Sequence, residues 1–223
     1  MTNPHPADAA RAPKRRAADV AYDKIETLIY TLKIAPGTPV VEAEIAELAQ
    51  LGRTPVREAL LRMVSYGLIV QQPRRGLSVS TIDVMEHLDV IATRGVLERL
   101  IAACSARRAT SAQRKELVAC AQKMVKAAER GKLEQYMAAD QALDRVNHAA
   151  SGNRPAVKAV VPLIVQCRRF WYAYQHKGEM VEGAAAHLAL AESIASGDSD
   201  AAMQGADRLI DYLERFAQRV IDA

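Results

Sequence analysis

Apolar positions recur at three- and four-residue intervals along most of the chain, and short breaks of Gly, Pro or Asn cut that pattern into successive helices. Val20, Ile25, Leu28, Ile29 and Leu32 predict a helix over residues 19–33, stopped by Pro36-Gly37. A shorter one follows over residues 41–50, with Ile45, Leu48 and Ala49 facing inward. A third opens at Arg53-Thr54-Pro55 and runs through Val56, Leu60 and Val64 to Gly67. Proline suits its first turn, where the missing N–H has no helical acceptor anyway. Leu68-Ile69-Val70 and Leu77-Ser78-Val79 then read as two strands around a tip of Gln71 to Gly76, a β-hairpin with basic residues at its end. Helix, short helix, tight turn, third helix and hairpin together predict a winged helix-turn-helix over residues 19–80.

The pattern changes after Thr81. Long amphipathic helices are predicted over residues 83–108, 111–130, 132–151, 154–176 with a kink at Pro162, 179–196 and 198–221. Gly131, Gly152-Asn153, Gly178 and Gly197-Asp198 mark the joints. The expected fold class is therefore mainly α: an N-terminal winged helix-turn-helix with a small β-hairpin wing, then a six-to-seven-helix antiparallel bundle over residues 81–223.

Composition narrows the field. The 223 residues suit one large or two small domains, and only ten are aromatic. Strand-type alternation is scarce and no GxGxxG or P-loop occurs, which argues against an all-β enzyme or a Rossmann domain. Residues 1–18 carry several prolines and Lys14-Arg15-Arg16 without an apolar centre, so they read as a disordered basic arm rather than a secretory signal. The longest apolar run, residues 156–165, is interrupted by Lys158 and Pro162 and is far short of the roughly 20 residues a membrane span needs. A cytoplasmic protein with no membrane partner is expected. Cys104, Cys120 and Cys167 are odd in number and lack metal spacing, so they read as small core residues in a reducing compartment.

The formal charge of +4 becomes informative only when it is located. Residues 53–75 hold five arginines against Glu58, so this window accounts for the whole excess and the remainder is balanced. On the third helix, Arg53, Thr54 and Arg57 lie opposite Val56, Leu60 and Val64. At the start of a recognition helix such arginines bond guanine O6 and N7, while a short hydroxyl suits a phosphate or a base edge. The same charges on a solvated helix face are the plain alternative. Arg74 and Arg75 at the hairpin tip add a second basic element where a wing reaches the duplex.

The segment from Ala21-Tyr22-Asp23-Lys24-Ile25 through Ile34-Ala35-Pro36-Gly37 and Arg53-Thr54-Pro55-Val56-Arg57-Glu58-Ala59-Leu60 to Gly67-Leu68 resembles the GntR family of bacterial transcription regulators. The resemblance implies that Arg53 and Arg57 contact DNA, assisted by Thr54 and by Arg74, Arg75 and Gly76 of the wing. Two positions depart from the pattern: Gly52 stands where serine is usual, and Ala43 where arginine is frequent.

The region over residues 83–221 is similar to the all-helical effector domain of the FadR branch of that family. It carries Arg94-x3-Glu98, Ser151-Gly152-Asn153, His187, Ile194, Gly197-Asp198 and Asp200-Ala201-Ala202. Many members hold a divalent metal on an Asp-x3-His pair and two later histidines. Here the pair falls on Asp140 and Asp144, and the last histidine falls near Leu209. Asp140 and Asp144 share a helix face, and two carboxylates that close need a cation, an arginine or a proton. With His187 they form a candidate site for one divalent ion of the Zn, Ni, Mn or Mg type. In the competing reading the metal is lost and the carboxylates pair with Arg94 or Arg168, or bind a cationic or hydroxylated ligand. His148, four residues after Asp144, is a secondary candidate.

Arg94 interrupts the apolar face of Leu88, Ile91, Val96 and Leu97, and an interior arginine needs an anionic partner. The resemblance implies a small carboxylate effector in that role; an ion pair with Asp140, Asp144 or Glu98 is the structural alternative. Arg168, Trp171 and Tyr172 belong to a stretch dense in aromatics and arginine, a candidate wall of the same pocket. The expected protein is a homodimeric, ligand-responsive regulator on a near-palindromic operator, a repressor released by a small carboxylate. The alternatives are a helical metalloenzyme using Asp140, Asp144 and His187, which lacks an evident nucleophile or general base, and a winged-helix module for protein contacts.

Overall fold

The computed structural model describes residues 16–74 and 76–223, apart from the side chain of Lys177. The expected arm lies outside the described residues up to position 15, and the first helix already begins at Ala17, two residues before the expected boundary.

The head consists of α1 (Ala17–Tyr30), β1 (Pro39–Val40), α2 (Glu42–Ala49), α3 (Arg53–Ser65), β2 (Ile69–Gln72) and β3 (Gly76–Val79). Ala21, Tyr22, Ile25 and Ile29 of α1, Ile45 and Ala49 of α2, and Val56, Leu60 and Met63 of α3 form its core. Each set repeats at helical spacing, which is why three short helices close on one another. Gly67, at φ +71°, ends α3 and turns the chain into β2.

The sheet has three antiparallel strands in the order β1-β3-β2, where the pattern predicted two. Pro39 and Val40 face Ser78 and Leu77 across β3. The Thr38-Pro39-Val40-Val41 stretch is the signal for β1, too short to stand out from a turn. Pro39 fits because an edge strand tolerates a missing donor.

Six helices follow: α4 (His87–Arg108), α5 (Ser111–Glu129), α6 (Leu133–Ser151), α7 (Arg154–Tyr174), α8 (Lys177–Ser196) and α9 (Ser199–Ile221). Their ends are set locally. Thr110 and Gln113 make a reciprocal capping box at α5, and the Asp198 carboxylate accepts from the N–H groups of Asp200 and Ala201 at α9. Gly152 and Gly197 take the left-handed conformation that closes α6 and α8. The first bundle helix starts at His87 rather than 83, because Asp83 instead accepts from Met85 and Glu86 in a turn. Gly178 lies inside α8 rather than before it, and Pro162 sits within α7 without ending it.

In the bundle α4 packs on α6, α7 and α9, α5 on α6 and α8, and α8 on α9. The three cysteines are buried and free. Head and bundle meet where α1 lies against α7, and Val165 of α7 belongs to the head core. Among the described residues no helix is long and apolar enough to cross a membrane.

Candidate functional site

Two surfaces carry chemistry, one on each part of the chain. On the head, Arg53 and Thr54 occupy the exposed first turn of α3, with Gly52 as its N-cap. The helix dipole already favours negative charge there, and Arg53 adds a full cation. Arg57, one turn on, is exposed but engaged: its Nε and Nη2 donate to the Glu42 carboxylate of α2 at 2.8 and 3.1 Å. At the wing, exposed Arg74 has φ +64° and Gly76 φ +79°, so the tip turns sharply between β2 and β3. Arg75 lies outside the described residues. Arg62, counted in the basic window, turns away from this face; it sits 4.1 Å over the Tyr22 ring and reaches Asp19 at 3.4 Å.

In the bundle, α4, α6, α7, α8 and α9 surround a small cavity with about 30 Å³ of free space. Arg94, Asp140, Arg168, Trp171 and His187 all line it. These five candidates come from four helices, and tertiary packing brings them to one cavity. The cavity has an aromatic wall, in which Tyr136 stacks on Trp171 at 5.0 Å and the indole N–H donates to the Tyr212 hydroxyl at 2.6 Å. Gly183 lets both tyrosines approach α8, since a Cβ there would lie 2.5 Å from the Tyr136 oxygen and 2.9 Å from that of Tyr212. Tyr136 and Tyr212 went unforeseen, because nothing in their local pattern separates a cavity wall from an ordinary core position.

The polar side is a network of compensated charges. Arg168 donates from Nε to Asp140 Oδ2 and from Nη2 to Asp144 Oδ2, both at 2.7 Å. One guanidinium thus answers both carboxylates, the arginine alternative weighed against a metal. His187 Nδ1 donates to the Gly183 carbonyl at 2.7 Å, and Nε2 lies 3.2 Å from Asp140 Oδ1. Arg94 donates to Glu98 Oε1 at 3.0 Å, both side chains buried.

The titration tendencies follow. Burial works against the Asp140 carboxylate, but Arg168 and His187 outweigh it and hold that group well below the ordinary range. Burial and the neighbouring Asp140 charge raise Asp144. His187 is pushed up: burial opposes its charge, and its contact with Asp140 prevails.

This donor set does not suit a metal ion. His187 Nδ1 donates to a carbonyl and Nε2 faces Asp140, so an ion at Nε2 has to displace that contact. The inner carboxylate oxygens are occupied by Arg168, and the position counted as the last histidine is Leu209, 1% exposed in the core. Among the described residues no three of His, Cys, Asp and Glu gather as ligands.

Three other candidates lie outside the cavity. Asp144 and His148 border a second hollow, a cleft of about 320 Å³ between head and bundle. Tyr172 turns toward the head, its ring 6.2 Å from that of Tyr30 on α1.

A winged head with a basic recognition turn, joined to a helical bundle around an enclosed polar cavity, defines the architecture of a winged helix-turn-helix regulator with a sensing domain. Comparison with known proteins agrees. The model for bacterial regulatory proteins of the gntR family matches residues 17–79, and that for the FCD domain matches residues 89–212. The chain belongs to the gntR family, in the branch that carries an FCD domain.

An HTH-type transcriptional regulator from the TAR-I ttuE-ttuC' intergenic region of Agrobacterium vitis is 33% identical over 129 residues, 54% of this chain and 72% of that protein. The HTH-type transcriptional repressor RspR of Escherichia coli K12 is 35% identical over 80 residues, 36% of this chain and 35% of RspR. The chain spans about a third of the length of such curated relatives. Among solved structures, E. coli McbR/YncC superposes with a TM-score of 0.78 at 18% identity, covering 93% of this chain and all of that one. A GntR regulator from Rhodococcus gives 0.63 at 15% identity, with 92% and 98% covered. Both show the shared fold. The matched families and relatives are regulators, not enzymes.

Proposed function

We propose that this chain is a ligand-responsive transcription repressor, acting in the cytoplasm as a homodimer on a near-palindromic operator and released by a small carboxylate. The observation that carries the reading is the exposed basic first turn of α3, displayed on a head whose first helix packs against the wall of an enclosed polar cavity. In this reading Arg53 and Arg57 read bases in the major groove, Thr54 meets phosphate or a base edge, and Arg74, Arg75 and Gly76 bring the wing to the backbone. Two heads are needed, because one recognition helix makes too few base contacts for useful specificity. A relative named as a repressor favours repression over activation.

The effector lies between the aromatic wall of Trp171 and the polar side of the cavity. Arg94 commits one N–H to Glu98, and its other donors suit an incoming carboxylate. The arginine-filled carboxylate pair argues for a regulator without a metal cofactor.

The test is DNA binding to a duplex selected in vitro from a random library by the wild-type protein. Arg53→Ala and Arg57→Ala should each weaken binding about tenfold or more, with a shallower salt dependence. Unchanged affinity and slope in both variants would sink the assignment. Fluorescence of Trp171, the only tryptophan, reports carboxylates entering the cavity, and Arg94→Gln should abolish that response.

A further inference from the structure

Helix α7 faces three ways near its C-terminal end. Ile164, Cys167, Arg168 and Trp171 line the bundle cavity, while Val165 is buried in the head core with Val161 packed against it. Arg169 reaches the connection that leaves the wing, donating to Ser80 Oγ at 3.1 Å and to the Thr81 carbonyl at 2.6 Å. The connection from wing to bundle and the packing of α7 on the head core therefore both rest on this short stretch.

Arg168 and Ile164 both border the cavity on one side and the interdomain cleft on the other, and Arg168 is the charged one of the two. On the cavity side it holds Asp140, and on the cleft side Asp144, each at 2.7 Å. Toward the head its guanidinium carbon lies 5.7 Å from the centre of the Tyr30 ring, and its charge acts on buried Glu26. Glu26 also accepts a hydrogen bond of 3.1 Å from Gln141, on the helix that carries both aspartates. A change in what Arg168 holds in the cavity thus alters the charge and packing presented to α1. Coupling of this kind needs a contiguous element that both sites bias.

We propose that Arg168 is the positioning residue that couples the effector cavity to the DNA-binding head, transmitting the state of Asp140 and Asp144 to Glu26 and Tyr30 of α1. This rests on the regulator reading above and deepens it. A ligand that competes for Arg168, or for either aspartate, loosens the seat of α1 and so the placement of the recognition helix.

The experiment is amide hydrogen exchange over residues 17–30 of the full-length protein, with affinity for the selected duplex measured in parallel. Asp144→Asn should change α1 exchange severalfold and duplex affinity by about fivefold or more. The same substitution in an Arg168→Lys background, where the forked bridge is already lost, should add little to either. Glu179→Gln, which breaks a different pair, buried Glu179 with half-exposed Arg219, between α8 and α9, should leave α1 exchange unchanged. The proposal is overturned by unchanged α1 exchange in Asp144→Asn, by an equal effect with and without Arg168, or by an equal response to Glu179→Gln. Exchange is read without DNA, so a protein that selects no duplex refutes the regulator reading while the coupling still stands or falls on its own measurement.

Discussion

Replacing Glu26 by glutamine isolates one buried charge at the joint between head and bundle. Glu26 is 6% exposed on α1, and burial pushes its carboxyl up from 4.5 to about 7, with Asp23 adding to the rise and Arg168, Tyr22 and Arg62 opposing it. A folded-state value above the unfolded one means that the native protein holds the proton more tightly. The associated stability is present below pH 4.5 and is lost as the pH climbs through 7. A shift of that size corresponds to about 3 kcal/mol. The Glu26→Gln amide keeps the volume and an acceptor for Gln141 but cannot ionise. The variant should therefore match the wild type near pH 4.5 and exceed it by about 3 kcal/mol at pH 8, which is roughly 6–12 °C in Tm for a chain of this size. Urea and thermal unfolding across pH 4.5 to 8 measure the difference. Parallel curves, or a variant less stable at pH 8, would falsify the argument and mean that Glu26 is held as a stabilising ion partner of Arg168.

Two further outcomes follow from the same structure. Glu42 holds the Arg57 fork on the DNA-facing side of the head, so Glu42→Gln should tighten duplex binding about twofold to fivefold and steepen its salt dependence; weaker binding would show that Glu42 orients Arg57 instead. Because Arg168 occupies the carboxylate pair, dialysis against EDTA should move Tm by less than about 1 °C, and added Zn, Ni or Mn should do no more. A bound ion at 100 times its Kd contributes about 2.7 kcal/mol, so a loss of roughly 5 °C on chelation would refute the guanidinium assignment.

Helix order, the winged arrangement of the head and the helical bundle behind it were legible in the chain. Those features are written in local periodicity, caps and turn residues, or in a contiguous family motif, and such signals act over one or two helical turns. The β1 strand escaped because two residues carry no period. Tertiary structure alone decided which cation answers Asp140 and Asp144, since Arg168 lies 28 and 24 residues away and reaches them only because α6 and α7 both pack on α4. It likewise turned Tyr172 and Arg62 toward the joint and brought Glu26 and Tyr30, ordinary members of an amphipathic helix, beside the bundle. A charge declares its presence in a sequence, but its partner is set by the angle at which helices cross, and that angle depends on the whole core at once.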